Sequence, residues 1–227
     1  MSVQLEVKWR DELKRVGALW IHGGNPKKPH ALLTSGRHSN GFINTSKLLE
    51  HPLLLNEACF DLVTAVLADR LGVCSPPTAV VGSAMGAVAI AHVVASHIHG
   101  LFGYGTNDGS RTVKSMFTEP QSKRGSKSMK LKRFELTKQD RVLVVEDVLT
   151  TGETTQLTID AVKETGATVA SFVGVFVNRS GKNTLGGRAV LSLVSERLPT
   201  WKEKSCPLCK EGSKAVRPKT NWDDLTS

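Results

Sequence analysis

The chain has 227 residues, 40% hydrophobic and 22% charged, with a formal net charge of +9, which is enough for one large α/β domain with its own core. No apolar run approaches the roughly 18 residues of a membrane span, and the charged start MSVQLEVKWRDELK lacks the apolar stretch of a secretory leader, so a cytoplasmic protein without membrane contact is expected. The positive charge is local: residues 111–133 hold eight Lys/Arg against one acid, Glu119, and account for +7, while the other 204 residues come to +2.

In chain order, Leu5, Trp9, Leu13, Val16 and Trp20 fall near a 3.6 period, which predicts an amphipathic helix over 5–20. ALLTSGRHSNGFINTSKLLE follows, polar and rich in turn formers. PLLLNEACFDLVTAVLADRL predicts a helix over 52–71, opened by Pro52 at a favoured early position. From residue 78 the pattern becomes strand, turn, helix: first TAVVGSAMGAVAIAHVVASHI, then RVLVVEDVLTTGETTQLTIDAVKETGA with Gly166 as a helix stop, then the strand TVASFVGVFVNRS. Near-continuous apolar strands joined by helices indicate a parallel sheet covered on both faces, a doubly wound α/β fold. Right-handed crossovers gather the loops at the carboxyl edge of such a sheet, where ligands bind.

The basic run 111–133 admits three readings: a solvated loop, a mobile arm that closes over a compact polyanion, or a nucleic-acid contact. Only Phe117 among its residues is aromatic, which gives base stacking little support. Cys206 and Cys209 form one CxxC, CPLC. A zinc site needs about four ligands, and neither a second CxxC nor an HxxxH accompanies it, so a structural or incidental role is expected ahead of a redox or metal one. His38, in SGRHS, reads as a structural hydrogen-bonding residue.

RVLVVEDVLTTGETTQ, residues 141–156, carries the chemistry. Val142–Val145 is the strand, Glu146 and Asp147 emerge at its end, and Thr150, Thr151, Gly152, Glu153 and Thr154 turn into the next helix. Unpaired N–H groups at a helix start suit phosphate, hydroxyls add donors, and Gly152 admits a close backbone approach. The chain has neither GxxxxGK[ST] nor a GxGxxG at a strand end. Two acids beside a phosphate cradle suit ribose hydroxyls, a divalent cation and a single phosphate.

VVEDVLTTGET resembles the 5-phosphoribosyl-1-diphosphate (PRPP) signature of the type I phosphoribosyltransferases. The likeness runs over roughly residues 12–219 and toward the orotate-using branch of that family. LLTSGRHSNGFINTSKLLEHP resembles its N-terminal region, VVGSAMGAVAIA its pyrophosphate loop, FTEP…MKLKRFEL the flank of its catalytic loop, and LPTWKEKSCPLCKEG a bacterial tail. The resemblance implies a single domain over 1–227. A hood would come from residues 1–50 and the C-terminal tail, a core from 52–195, and a flexible basic loop from 106–133.

The resemblance also implies the roles. Glu146 and Asp147 would hold the ribose hydroxyls, directly or through Mg²⁺, in a PRPP site completed by Val148, Leu149 and Thr150 to Thr154. Ser83, Ala84, Met85 and Gly86 would bind pyrophosphate through backbone N–H groups. Arg179, Phe42, Ile43 and Thr150 would contact orotate. Lys132 and Arg133 match the paired basic positions of the catalytic loop, whereas Lys123, Arg124 and Lys127 are left without individual roles. The implied reaction is Mg²⁺-dependent transfer of phosphoribose from PRPP to orotate by a homodimer, without a nucleic-acid partner. The same motifs would serve another base, or a PRPP-sensing regulator without catalysis. Ser83, Ala87 and Glu153 depart from the family pattern, which has proline, glycine and a small residue there. A carboxylate at Glu153 would repel phosphate unless it faced solvent.

Overall fold

A computed structural model describes residues 2–68, 76–102, 112–123 and 126–226. The N-terminal helix α1 (Val3–Arg15) is capped by Ser2, whose hydroxyl accepts from the Leu5 N–H. It ends earlier than the periodicity predicts, because Gly17 takes φ +72° and turns the chain out of the helix. Trp20, placed in the helix by spacing, instead lies in strand β1 (Leu19–Ile21). Trp9 and Leu13 form the buried stripe of α1, and the Trp9 indole N–H donates to Asp61 at 2.9 Å.

Two short strands, β2 (His30–Leu32) and β3 (His38–Ser39), pair antiparallel; β4 (Gly41–Ile43) pairs with β1. After the turn α2 (Ser46–Leu49), α3 runs from Pro52 to Asp61 and continues as a π-helical turn over Leu62–Val66. Residues 69–71 of the helix predicted over 52–71 lie outside the described residues.

The main sheet contains β5 (Ala79–Ser83), β6 (Lys114–Lys123), β7 (Ser126–Lys130), β8 (Arg141–Leu149), β9 (Thr168–Asn178), β10 (Thr184–Leu185) and β11 (Arg188–Ser195), in the order β10-β11-β9-β8-β5-β6-β7. The five inner strands are parallel, and β7 and β10 are antiparallel additions at the edges. Helices α4 (Val88–Leu101) and α5 (Glu153–Glu164) follow β5 and β8 as crossovers. The fold is therefore the doubly wound, mostly parallel α/β arrangement that the apolar runs predict.

Strand alternation divides the core. Leu143 and Val145 face a cluster with Trp9, Leu62 and Ile90, whereas Val142 and Val144 face one with Ile159 and Val162 of α5. Burying side chains of this size is worth about 1.5–3 kcal/mol each, so both faces of β8 contribute.

The expected loop over 106–133 is largely strand where it is described. Residues 114–118 pair parallel with β5, and 119–123 turn back along β7 as a hairpin. Met116 and Thr118 are buried, which explains why this part of a basic run joins a sheet. Residues 106–111 and 124–125 lie outside the described residues.

A second, four-stranded sheet unites the two ends of the chain. Strand β12 (Thr200–Trp201) pairs with β3, and β13 (Ala215–Val216) pairs parallel with β2. Between them lies the short helix α6 (Pro207–Lys210), and the described chain closes with α7 (Trp222–Thr226). Among the described residues no helix is long and apolar enough to cross a membrane.

Candidate active site

Two cavities open at the carboxyl edge of the main sheet, and Thr150 and Thr151 line both. The smaller, about 210 Å³, is lined by Glu146, Asp147, Val148, the turn Thr150 to Thr155, and Ser83, Ala84 and Gly86 of the β5–α4 turn. The larger, about 520 Å³, is lined by Leu33, Thr34, Ser35, Arg37, Phe42, Arg179, Ser180, Leu198 and Thr200. One wall is thus shared by a polar, acid-bearing chamber and a broader one with apolar surface and two guanidinium groups.

Strand β8 runs through Leu149, four residues past the predicted end at Val145. Glu146 and Asp147 are therefore strand residues and point to opposite faces. Glu146 turns under the sheet toward α5, where its Oε2 accepts from Ser83 Oγ at 3.0 Å and from Thr155 Oγ1 at 2.8 Å. Ser83 also meets Thr158, which meets Thr118 at 2.8 Å. Burial, and next the Asp147 charge, push the Glu146 carboxyl upward, against the two hydroxyl hydrogen bonds. Asp147 faces the N-terminal segment and is half-buried; its Oδ2 accepts from Thr45 Oγ1 at 2.6 Å. Asp147 is the more accessible acid, and Glu146 is the held one.

The turn between β8 and α5 depends on Gly152, which has φ +84° and carries the chain into the helix. A β-carbon there would meet Leu185 at 2.6 Å. Glu153 opens α5, is exposed, and lines the smaller cavity. The Thr151 carbonyl accepts from Lys182 Nζ at 2.8 Å. In the β5–α4 turn the Ala84–Met85 peptide is cis, and the Met85 side chain is exposed. Ala87 is fully buried, and its carbonyl oxygen would lie 2.2 Å from a β-carbon on Gly82, so the backbone packs closely there.

Arg179 follows β9, and its Nη2 donates to Ser39 Oγ at 3.3 Å; burial pushes its guanidinium pKa down. Arg37 was not singled out from the sequence. It donates to the hydroxyl and carbonyl of Thr200 at 3.0 and 2.7 Å on the same cavity wall. A second guanidinium in a turn-rich segment carries no signal until folding brings it into one cavity lining with Arg179. Phe42 lines the cavity and is backed by Trp222 at a ring separation of 5.8 Å.

Ile43, Lys132 and Arg133 stand outside both cavities. Ile43, expected beside Phe42, faces the opposite way and belongs to the hydrophobic core opposite Leu19, as alternation along β4 requires. Lys132 and Arg133 line neither cavity; both are exposed and pair with Glu119 at 3.5 and 2.7 Å at the base of the β6–β7 hairpin.

An acid-bearing strand, a hydroxyl-rich turn and a helix start at the carboxyl edge of a parallel sheet define a class of α/β proteins whose ligands sit at that edge with an anionic group at the helix start. Residues 53–216 match the phosphoribosyl transferase domain, and the chain belongs to the phosphoribosyltransferase family. It is 37% identical over 191 residues to the orotate phosphoribosyltransferase of Desulforamulus reducens, covering 83% of this chain and 87% of that protein. To the orotate phosphoribosyltransferase of Pelotomaculum thermopropionicum it is 34% identical over 211 residues, 92% of this chain and 96% of that one. Among solved structures, the orotate phosphoribosyltransferase from Aeropyrum pernix matches with a TM-score of 0.59 at 25% identity, covering 82% of this chain and 92% of that chain.

Proposed function

We propose that this chain transfers the phosphoribosyl group of PRPP to orotate in the cytoplasm, releasing pyrophosphate and forming orotidine 5′-monophosphate. The observation that carries the reading is the shared Thr150–Thr151 wall. It sets a chamber suited to ribose phosphate against a chamber suited to a flat anionic ring. In the reaction, the bond from C1 of ribose to the pyrophosphate oxygen breaks as a ring nitrogen of orotate bonds to C1, and the proton of that nitrogen leaves with the pyrophosphate. Positive charge builds on the sugar and negative charge on the leaving group. The protein's task is to position both partners and answer these charges with fixed dipoles.

Thr150 to Thr154 and the start of α5 hold the 5′-phosphate, and Ser83 to Gly86 hold the pyrophosphate. Asp147 takes a ribose hydroxyl, with Glu146 supporting it from below. Arg179 reads the orotate carboxylate or imide as a planar fork, and Phe42 supports the ring. Val148 lines the smaller chamber, whereas Leu149 is a core residue whose carbonyl accepts from the Arg179 N–H at 2.9 Å. Asp147, the accessible acid, is a hard oxygen donor and would hold Mg²⁺; the ion would supply charge neutralisation at the pyrophosphate. Lys132 and Arg133, outside both cavities of their own chain, serve the partner's site in a homodimer.

The test is an assay of pyrophosphate release from PRPP with orotate, uracil, adenine or hypoxanthine offered in turn. Turnover with orotate alone is expected. Turnover with a purine and none with orotate would overturn the reading.

A further inference from the structure

Away from both cavities, four side chains converge that no step above uses. His30 Nε2, His38 Nδ1, Cys206 Sγ and Cys209 Sγ all lie within 4.8 Å of one another. His30 and Cys206 have no solvent exposure, and His38 has 5%. We infer that these residues bind a zinc ion that clasps the C-terminal tail onto the N-terminal sheet.

The topology assembles the ligands. His30 and His38 sit on neighbouring strands of the β2–β3 hairpin, and the CPLC turn lies in the connection from β12 to β13, the two strands flanking that hairpin. Cys206 precedes α6 and Cys209 lies within it, so a tight turn presents both sulfurs to one point. The Cys209–His38, Cys209–His30 and Cys206–His30 separations are 3.2, 3.5 and 3.6 Å. A tetrahedron with Zn–S near 2.3 Å and Zn–N near 2.05 Å has S···N edges of about 3.6 Å. The His30–His38 nitrogens are 2.9 Å apart, somewhat inside the N···N edge of about 3.3 Å for the same tetrahedron, so a small opening of the rings completes the fit.

The surrounding hydrogen bonds prepare His30 as a ligand. The Ser213 hydroxyl donates to the Lys28 carbonyl at 2.7 Å, so toward His30 it accepts, and Nδ1 at 2.8 Å carries the proton. The lone pair is therefore left on Nε2, the atom that faces the sulfurs. Two sulfurs and two imidazoles, three of the four buried and Cys209 partly exposed, select zinc over the hard cations of a phosphate site.

The site also touches the proposed base chamber through its neighbours in sequence. Arg37 and Ser39 flank His38, Ser39 accepts from Arg179, and Thr200 on β12 holds Arg37. A zinc clasp would thus fix the strands that present these groups. That consequence rests on the reading of the site as an orotate pocket; the metal itself does not.

The experiment is elemental analysis of the full-length protein purified without chelator, followed by cobalt substitution and optical spectroscopy. One zinc per chain and an intense tetrahedral cobalt spectrum with a thiolate charge-transfer band are expected. Cys209→Ser should lose both, Cys209→His should retain bound metal with a weaker charge-transfer band, and Cys59→Ala should change neither. If a variant fails to fold, the wild-type stoichiometry and spectrum decide. Metal-free protein with two free thiols, or with a Cys206–Cys209 disulfide, would overturn the inference. In zinc-depleted protein the KM for orotate should rise several-fold while that for PRPP stays level. Stoichiometric zinc without that change would leave the metal site standing and count against the base-pocket reading alone.

Discussion

A β-carbon on Gly86 would fall 2.3 Å from Oδ2 of Asp147. The turn after β5 and the acid on the adjacent strand β8 are thus fitted to each other with no room for a methyl group. Gly86→Ala must push either the turn or the carboxylate by about an ångström. Displacement of that size in a positioned site costs on the order of 100-fold in rate. The expected outcome is that loss in kcat/KM for PRPP with little change in melting temperature. Unchanged kinetics would show that the close approach has no part in the reaction.

Asp147 is the accessible acid of the pair, and Thr45 orients it from the N-terminal segment. Asp147→Asn keeps the shape and removes the charge. Turnover should fall by roughly 10²–10³-fold, in line with removal of a group aimed at developing charge, while the circular dichroism spectrum stays native. Thr45→Val should give a smaller loss, about tenfold, because the carboxylate remains but is less well held. Wild-type rates in the Asn variant would remove Asp147 from the mechanism.

Arg179 is read as the fork that recognises the base. Arg179→Lys retains charge but not the planar pair of donors. Losing one charge-assisted hydrogen bond is worth about 1.5–3 kcal/mol, so kcat/KM for orotate should drop by roughly 10- to 100-fold. The KM for PRPP should move little. Equal losses toward both substrates would indicate a structural role through Ser39.

Much of this architecture was legible in the sequence. The apolar runs at 79–83, 142–145 and 168–177 became parallel strands, and the acid-to-hydroxyl transition became the wall of a cavity. What failed did so for local physical reasons. Gly17 cut short a helix whose spacing continued to Trp20, and alternation along β4 sent Ile43 into the core. The convergence of His30, His38, Cys206 and Cys209 was not legible because these residues come from opposite ends of the chain, 171 residues apart for His38 and Cys209. HxxxH is the spacing of a helix; His30 and His38 are eight apart because a hairpin brings them together. Searching for a histidine pair at hairpin spacing beside the CPLC would have found it.

Asp140 anchors the start of β8. Burial works to raise its carboxyl pKa, but hydrogen bonds from Thr137, Lys114 and Thr78 outweigh it and hold the group at about 2. The native value lies below the unfolded one near 3.9. Its stabilisation is therefore full above about pH 4 and is lost as pH falls through about 2. Asp140→Asn should cost about 1–3 kcal/mol near neutral pH and flatten the decline in stability over the acid window. Parallel pH–stability curves for the two proteins, from chemical denaturation, would refute the assignment.

Glu153 is the residue of the phosphate turn that the proposed ligand does not explain. It opens α5 and is exposed, so its charge complements the helix dipole by about 0.3–1 kcal/mol. It also lines the smaller cavity, where a phosphate would meet the same carboxylate as a repulsive neighbour. The two effects have opposite signs and separate in one variant. Glu153→Gln should lower the melting temperature slightly while reducing the KM for PRPP about two- to fivefold, the larger change appearing at low salt because screening weakens the repulsion. A KM that is unchanged at low salt would mean that the side chain points to solvent in the bound state and that the dipole alone accounts for it.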